Sequence, residues 1–120
     1  MAKKILIVDD ETIICDFFME RFEKLGFAAF VAYNGAEAID TAREHNPDVV
    51  LLDIKMPGMD GIAAMQQIKE TNPGISVILL SAKSQLHEIR AGLEAGADKY
   101  LTKPLPPEDI IKAVYDVLEK

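Results

Sequence analysis

With a single cysteine, Cys15, the 120-residue chain cannot close an internal disulfide. That usage suits a reducing, cytoplasmic setting. Cys15 falls in an apolar helical pattern, where a small buried packing residue is expected and a reactive thiol is the alternative. Long hydrophobic runs are missing too. Nothing approaches the ~20 apolar residues of a membrane span, so no membrane insertion is expected. The opening MAKKILIVDD looks superficially like a signal peptide. Its apolar run Ile5–Val8 is shorter than the ~7–15 residues of such a segment, and Asp9-Asp10 end it. Basic clusters are equally scarce: the formal charge is −7, and the longest basic run is Lys3-Lys4. Phosphate backbones are gripped by clustered Lys and Arg, which argues against direct nucleic-acid binding. There is no internal repeat, low-complexity segment or linker, and the length suits one compact domain over residues 1–120.

What is present is an alternation of two kinds of segment. Hydrophobic residues make up 49% of the chain and charged ones 28%, enough for a sizeable core and an ordinary soluble surface. KILIV (4–8), FAAFVA (27–32), DVVLL (48–52), ISVILL (75–80) and DKYLT (98–102) read as short strands. The first, third and fourth are nearly continuous apolar runs, as strands covered on both faces require. Between them, Ile13, Ile14, Phe17, Phe18 and Phe22 recur at helical spacing, with Asp16, Glu20, Glu23 and Lys24 opposite. Gly26 follows as a C-terminal cap. Asn34 and Glu37 have the spacing of a capping box for a second helix, which Asn46-Pro47 ends. A third helix is predicted from about Gly61 to Thr71, and a fourth from about Ser84 to Ala95 with Gly96 as its cap. The fifth starts near Pro106-Pro107 and buries Ile110, Ile111, Val114 and Leu118. Five strands alternating with five helices predict an α/β fold with a parallel sheet and helices on both faces. In such sheets the ligand site lies beyond the carboxyl ends of the strands.

Those ends are polar. Strand one finishes in Asp9-Asp10-Glu11, strand three in Asp53, strand four in Ser81-Ala82-Lys83 and strand five in Thr102-Lys103-Pro104. If strands one and three are neighbours, Asp9, Asp10 and Asp53 converge. Two unit charges ~4 Å apart interact by about 4 kcal/mol at an effective dielectric near 20, so three carboxylates there call for a cation. Oxygen-only ligands with room for water suit Mg2+. A solvated acidic turn capping the first helix is the plainer reading of Asp9 and Asp10 alone, and Asp53 on a separate strand turns the balance. Lys103 by itself reads as a surface lysine, and Ser81 as a strand-end cap. Together, a lysine, a hydroxyl and a metal-ready acid cluster around one carboxylate make a phosphoryl-transfer site, with Asp53 as the nucleophile. His45, at a helix end, and His87, in a first helical turn, read as solvated surface residues.

With IVDDE, LLDIKMPGMDG, the LSA of Leu80–Ala82 and KYLTKP at these spacings, the chain resembles a response-regulator receiver domain from about Lys4 to Leu118. The resemblance implies a doubly wound (βα)5 flavodoxin-like fold with strand order 2-1-3-4-5. It implies a two-component signalling switch whose Asp53 is the phosphoacceptor. Asp10 and Asp53 would bind Mg2+, with the backbone carbonyl of Lys55 as a further ligand and Asp9 acting mostly through water. Lys103 would contact Asp53 and then the phosphoryl group, ahead of a cis bond to Pro104. Ser81 would hydrogen-bond a phosphoryl oxygen on activation. Tyr100 would turn inward when Ser81 moves, a half-buried packing aromatic being the alternative. Lys55 and Lys83 would flank the phosphoryl group and influence its lifetime. The face of helix four, strand five and helix five would change on phosphorylation, and helix four, with its sparse stripe Leu86, Ile89 and Leu93 around Gly92, is suited to moving.

The implied partners are a sensor histidine kinase or histidine phosphotransfer protein and a downstream target protein. The chain would not be an enzyme in the usual sense, but a regulator that assists its own phosphotransfer and dephosphorylation. A haloacid-dehalogenase-like phosphatase also forms an aspartyl phosphate, but needs D-x-D after strand one, where this chain has Glu11 two residues beyond Asp9. A receiver-like binding module that is never phosphorylated would lack part of the acid, Ser and Lys set. A flavodoxin-like flavin binder would carry a glycine-rich loop after strand one, which is absent. Starting at Met1 and closing with its last helix, the chain reads as a stand-alone regulator, a receiver cut from a longer protein being the alternative.

Overall fold

The apolar runs become parallel strands buried on both sides. In the computed structural model, which describes residues 2–54, 61–82 and 86–119, strands β1 (Lys4–Val8), β2 (Ala28–Ala32), β3 (Val49–Asp53), β4 (Ser76–Ser81) and β5 (Lys99–Thr102) are joined by helices α1 (Thr12–Lys24), α2 (Gly35–His45), α3 (Gly61–Thr71), α4 (Leu86–Glu94) and α5 (Pro107–Leu118). The strands form one parallel sheet in the order β2-β1-β3-β4-β5. Every residue of β3 is buried, including its terminal Asp53. No alternation of polar and apolar residues is available to a strand with helices on both faces.

The period-two geometry of the strands sorts their side chains into two cores. Ile5, Ile7, Val49, Leu51, Ile78 and Leu80 pack with Phe18 and Phe22 of α1 and Ile110 and Val114 of α5. Leu6, Val8, Val50, Leu52, Val77 and Leu79 pack with Ile39 of α2 and Met65 and Ile68 of α3. Cys15 lies in the first core, wholly buried. Burial, reinforced by the negative Asp9, pushes its thiol up to about 11. It is a packing residue.

Local signals in the sequence set the helix ends. The Asn34 Oδ1 accepts the Glu37 N–H at 2.9 Å, and the Glu37 carboxylate reaches back to the Asn34 Nδ2 at 2.9 Å and the Tyr33 N–H at 3.4 Å. Asn46 closes α2 in the left-handed region at φ 50°, a conformation asparagine tolerates. Gly26 and Gly96 follow α1 and α4 at φ +95° and +123°.

Two expectations about helix faces need correction. On α1, Ile13 is 81% exposed and Phe17 42% exposed, while the buried stripe is Cys15, Phe18 and Phe22. The apolar arc of this helix is wider than the strip that the sheet covers. On α5, Ile110 and Val114 are buried as expected, but Ala113 and Val117 join them, and Ile111 and Leu118 are only partly covered. The expected start of the fourth helix at Ser84 lies outside the described residues. His45 is more than a solvated side chain, for its ring stacks on Phe30 at 4.1 Å between centroids. His87 is exposed, as expected.

Candidate functional site

The sheet register assembles the site. Val8 pairs with Leu52, so the next residues out, Asp9 and Asp53, emerge side by side. Asp53 pairs with Leu80, and Ser81 with Thr102, so β4 and β5 end at the same edge. Lys103 follows directly, its N–H bonded to the Ser81 carbonyl at 2.8 Å, and its bond to Pro104 is cis. The close approach of α3 completes the wall. A β-carbon at Gly61 would lie 2.7 Å from Ile54 Cα and 3.2 Å from the Asp53 carbonyl oxygen, so glycine alone lets this helix start against the Asp53–Ile54 backbone.

Three polar residues of the described chain are buried, Asp9, Asp53 and Ser81, and all three are at this edge. The Lys103 ammonium stands 3.2 Å from Asp53 Oδ2 and 3.8 Å from Asp9 Oδ2. The Asp9 Oδ1 accepts the Glu11 N–H at 2.9 Å. Carboxylate oxygens of Asp9, Asp10 and Asp53 all lie within 4.8 Å of one another, with Asp10 the exposed member. Burial raises the Asp9 carboxyl above the ordinary aspartate range, the Glu11 N–H and Lys103 pull it back down, and Asp53 and Asp10 push it up.

Among the described residues, the Lys103 ammonium stands against a cluster of three carboxylates, two of them buried in a partly dry pocket. A hard cation with oxygen ligands fits this donor set, since the carboxylates are close enough to share one ion and Asp10 keeps the site open to water. Beside Asp9 and Lys103 a cavity of about 340 Å³ opens, lined chiefly by Ile14, Phe17, Phe18, Leu105 and Ile110.

Of the residues expected at the site, Asp9, Asp10, Asp53 and Lys103 form one cluster, and Ser81 ends the strand next to Asp53. Tyr100 is partly buried on β5 against the second core. Lys55 and Lys83 lie outside the described residues. Two features escaped the sequence reading: the double reach of Lys103 to Asp9 as well as Asp53, and the Glu11 N–H on Asp9. Glu11 was legible only as the last acid of a run, whereas its contribution is a backbone donor set by the turn.

A doubly wound sheet whose central strands end in this acid–lysine cluster defines a class. The chain matches the response regulator receiver domain family over residues 5–115 and belongs to it. Over 118 residues it is 38% identical to the chemotaxis protein CheY of Halobacterium salinarum, with 98% of each chain covered. Among solved structures, it resembles the BeF3-activated DrrB receiver domain at 36% identity and a TM-score of 0.90, each chain covered in full. It also resembles the CheX-CheY-BeF3-Mg2+ complex from Borrelia burgdorferi at 33% identity and a TM-score of 0.90, covering 98% of this chain and 90% of that one. Among the described residues, no helix is long and apolar enough to cross a membrane.

Proposed function

We propose that residues 1–120 form one receiver domain that works as a cytoplasmic phosphorylation switch, with Asp53 as its acceptor. The observation that carries this reading is the Lys103 ammonium 3.2 Å from a carboxylate oxygen of buried Asp53, inside an acid cluster at the strand ends. The ion pair holds the Asp53 carboxyl aimed out of the strand end, as a nucleophile must be. An Asp53 oxygen attacks phosphorus, the P–N bond of a phosphohistidine on a sensor kinase or phosphotransfer protein breaks, and its electron pair returns to the imidazole. Lys103 stabilises the charge that develops on the transferring group. Water later attacks the same phosphorus, breaking the Asp53 O–P bond and releasing phosphate. Mg2+ would be held by Asp10, Asp53 and the Lys55 carbonyl, with Asp9 acting through water, and would add to the charge neutralisation that Lys103 supplies. The reading is supported by the donor set and by the BeF3 and Mg2+ in the complex of the Borrelia relative.

Ser81, at the end of β4, is the hydroxyl that follows the phosphoryl group, and Tyr100 is the side chain that responds to it. Their movement changes the face of α4, β5 and α5 that a downstream target protein reads. The chain thereby acts as a regulator and not as an enzyme turning over an external substrate. Incubation with Mg2+ and acetyl phosphate followed by mass spectrometry tests the central claim. One phosphoryl adduct is expected, absent from Asp53→Ala. No adduct, or one that persists in Asp53→Ala, overturns it.

A further inference from the structure

Helix α4 has one fully buried residue, Gly92, while Leu86 and Leu93 are 64% and 44% exposed. There the helix backbone rests directly on the two strands below. A β-carbon at Gly92 would lie 2.9 Å from Tyr100 Cδ2 and 3.0 Å from Leu79 Cδ1. Leu79 and Tyr100 are register partners across β4 and β5, so together they form the surface on which the helix sits. Glycine is a poor helix former, and Gly92 does not cap the helix, because Gly96 fills that position with its N–H on the Leu93 carbonyl at 3.1 Å. The helix thus gives up intrinsic stability at the position where the Tyr100 ring touches it.

The C-terminal end of α4 is tied down separately. Ala97 donates to the Gly92 carbonyl at 3.2 Å. Asp98, in the connection to β5, accepts from Lys69 Nζ of α3 at 2.9 Å and from the Val77 N–H of β4 at 2.8 Å.

We propose that Gly92 is a positioning residue for Tyr100: its lack of a side chain lets the phenol ring sit beneath α4, and this seat links the Asp53 site to the exposed face of that helix. The linking role rests on the switch reading given above, whereas the seat itself does not.

Thermal unfolding of Gly92→Ala, alone and in a Tyr100→Ala background, tests the seat. Helix propensity by itself makes this substitution stabilising. With Tyr100 present, Gly92→Ala is expected to lower Tm by about 4 °C or more. With the ring removed, the Leu79 methyl can turn aside and the same change is expected to raise Tm or leave it level. Equal Tm changes in the two backgrounds overturn the proposal. The link is tested by 19F NMR of protein carrying 3-fluorotyrosine, with Tyr100 assigned by its loss in Tyr100→Phe, on addition of Mg2+ and beryllofluoride. Wild type is expected to shift its Tyr100 resonance. Gly92→Ala is expected to shift it less, although the Ile54 amide beside Asp53 responds fully in both. Equal Tyr100 shifts overturn the link. An Ile54 amide silent in both proteins counts against the Asp53 reading and removes the link with it, and the Tm comparison still decides the seat.

Discussion

Asp9 is the residue whose environment is most at odds with its charge. It is buried, touches the negative field of Asp53 and Asp10, and has the Glu11 N–H and a 3.8 Å approach of Lys103 as compensation. The balance leaves its folded pKa above the ordinary aspartate value near 3.9. For a carboxyl raised on folding, the folded state binds the proton more tightly than the unfolded chain does. Its contribution to stability is then fully present below the unfolded pKa and lost as pH rises through the folded one. Removing the charge by Asp9→Asn should therefore stabilise the metal-free protein more at pH 7 than at pH 4. Urea unfolding of both proteins in EDTA at the two pH values measures this. A gain in midpoint that is no larger at pH 7 would show that Asp9 is not the strained acid. The residue scale also accounts for Cys15, whose sulfur lies 3.4 Å from the Asp9 carbonyl oxygen and whose thiol stays protonated. It belongs to the packing beneath the site.

At the scale of elements, α1 separates two roles that its sequence pattern blends. Phe22 is wholly buried, with its ring 5.2 Å from that of Phe27, whereas Ile13 is 81% exposed at the site end of the same helix. Phe22→Ala should cost about 3–5 kcal/mol through lost burial and a cavity. Ile13→Ser should change stability by about 0.5 kcal/mol or less. Chemical denaturation of the two variants checks the contrast, and a large loss for Ile13→Ser would mean that this end of α1 packs more tightly than its exposure indicates. The helix is legible as a helix because apolar residues recur every three to four positions. Which side of a broad apolar arc is covered is a matter of where the sheet ends, and the α1 sequence alone holds no record of that. The same reason explains α5. Ala113 and Val117 are small enough to look indifferent in sequence, yet they lie on the line that meets the sheet.

At the scale of the whole molecule, the parallel sheet brings together charges from strand ends 44 residues apart, Asp9 and Asp53, and adds Lys103 from a third strand. The fold is thus held together at some cost at one edge, and a bound cation should recover it. A ligand that binds only the folded state stabilises it by RT ln(1 + [L]/Kd), about 2.7 kcal/mol at a hundredfold excess over Kd. Mg2+ is expected to raise Tm in a saturable way for the native chain, and Asp10→Asn should remove most of that rise while keeping the fold, because Asp10 is exposed. Thermal scans against Mg2+ concentration would reject the proposed site if Asp10→Asn responded like the native protein.

The sequence by itself determined the alternation of strands and helices, the caps at Asn34, Gly26 and Gly96, and the polar character of every strand end at the site. These depend on short-range patterns: the period of apolar residues, the left-handed turns that suit glycine, and the side-chain oxygen that accepts an N–H three residues on. Tertiary structure alone decided how the pieces meet. Register set Asp9 beside Asp53, the turn supplied the Glu11 N–H, and Lys103 reached both acids. The edge of the sheet left Ile13 and Phe17 uncovered, and the approach of α4 placed Gly92 on Tyr100. Distances between residues far apart in the chain are fixed by packing and strand pairing, and no local pattern encodes them.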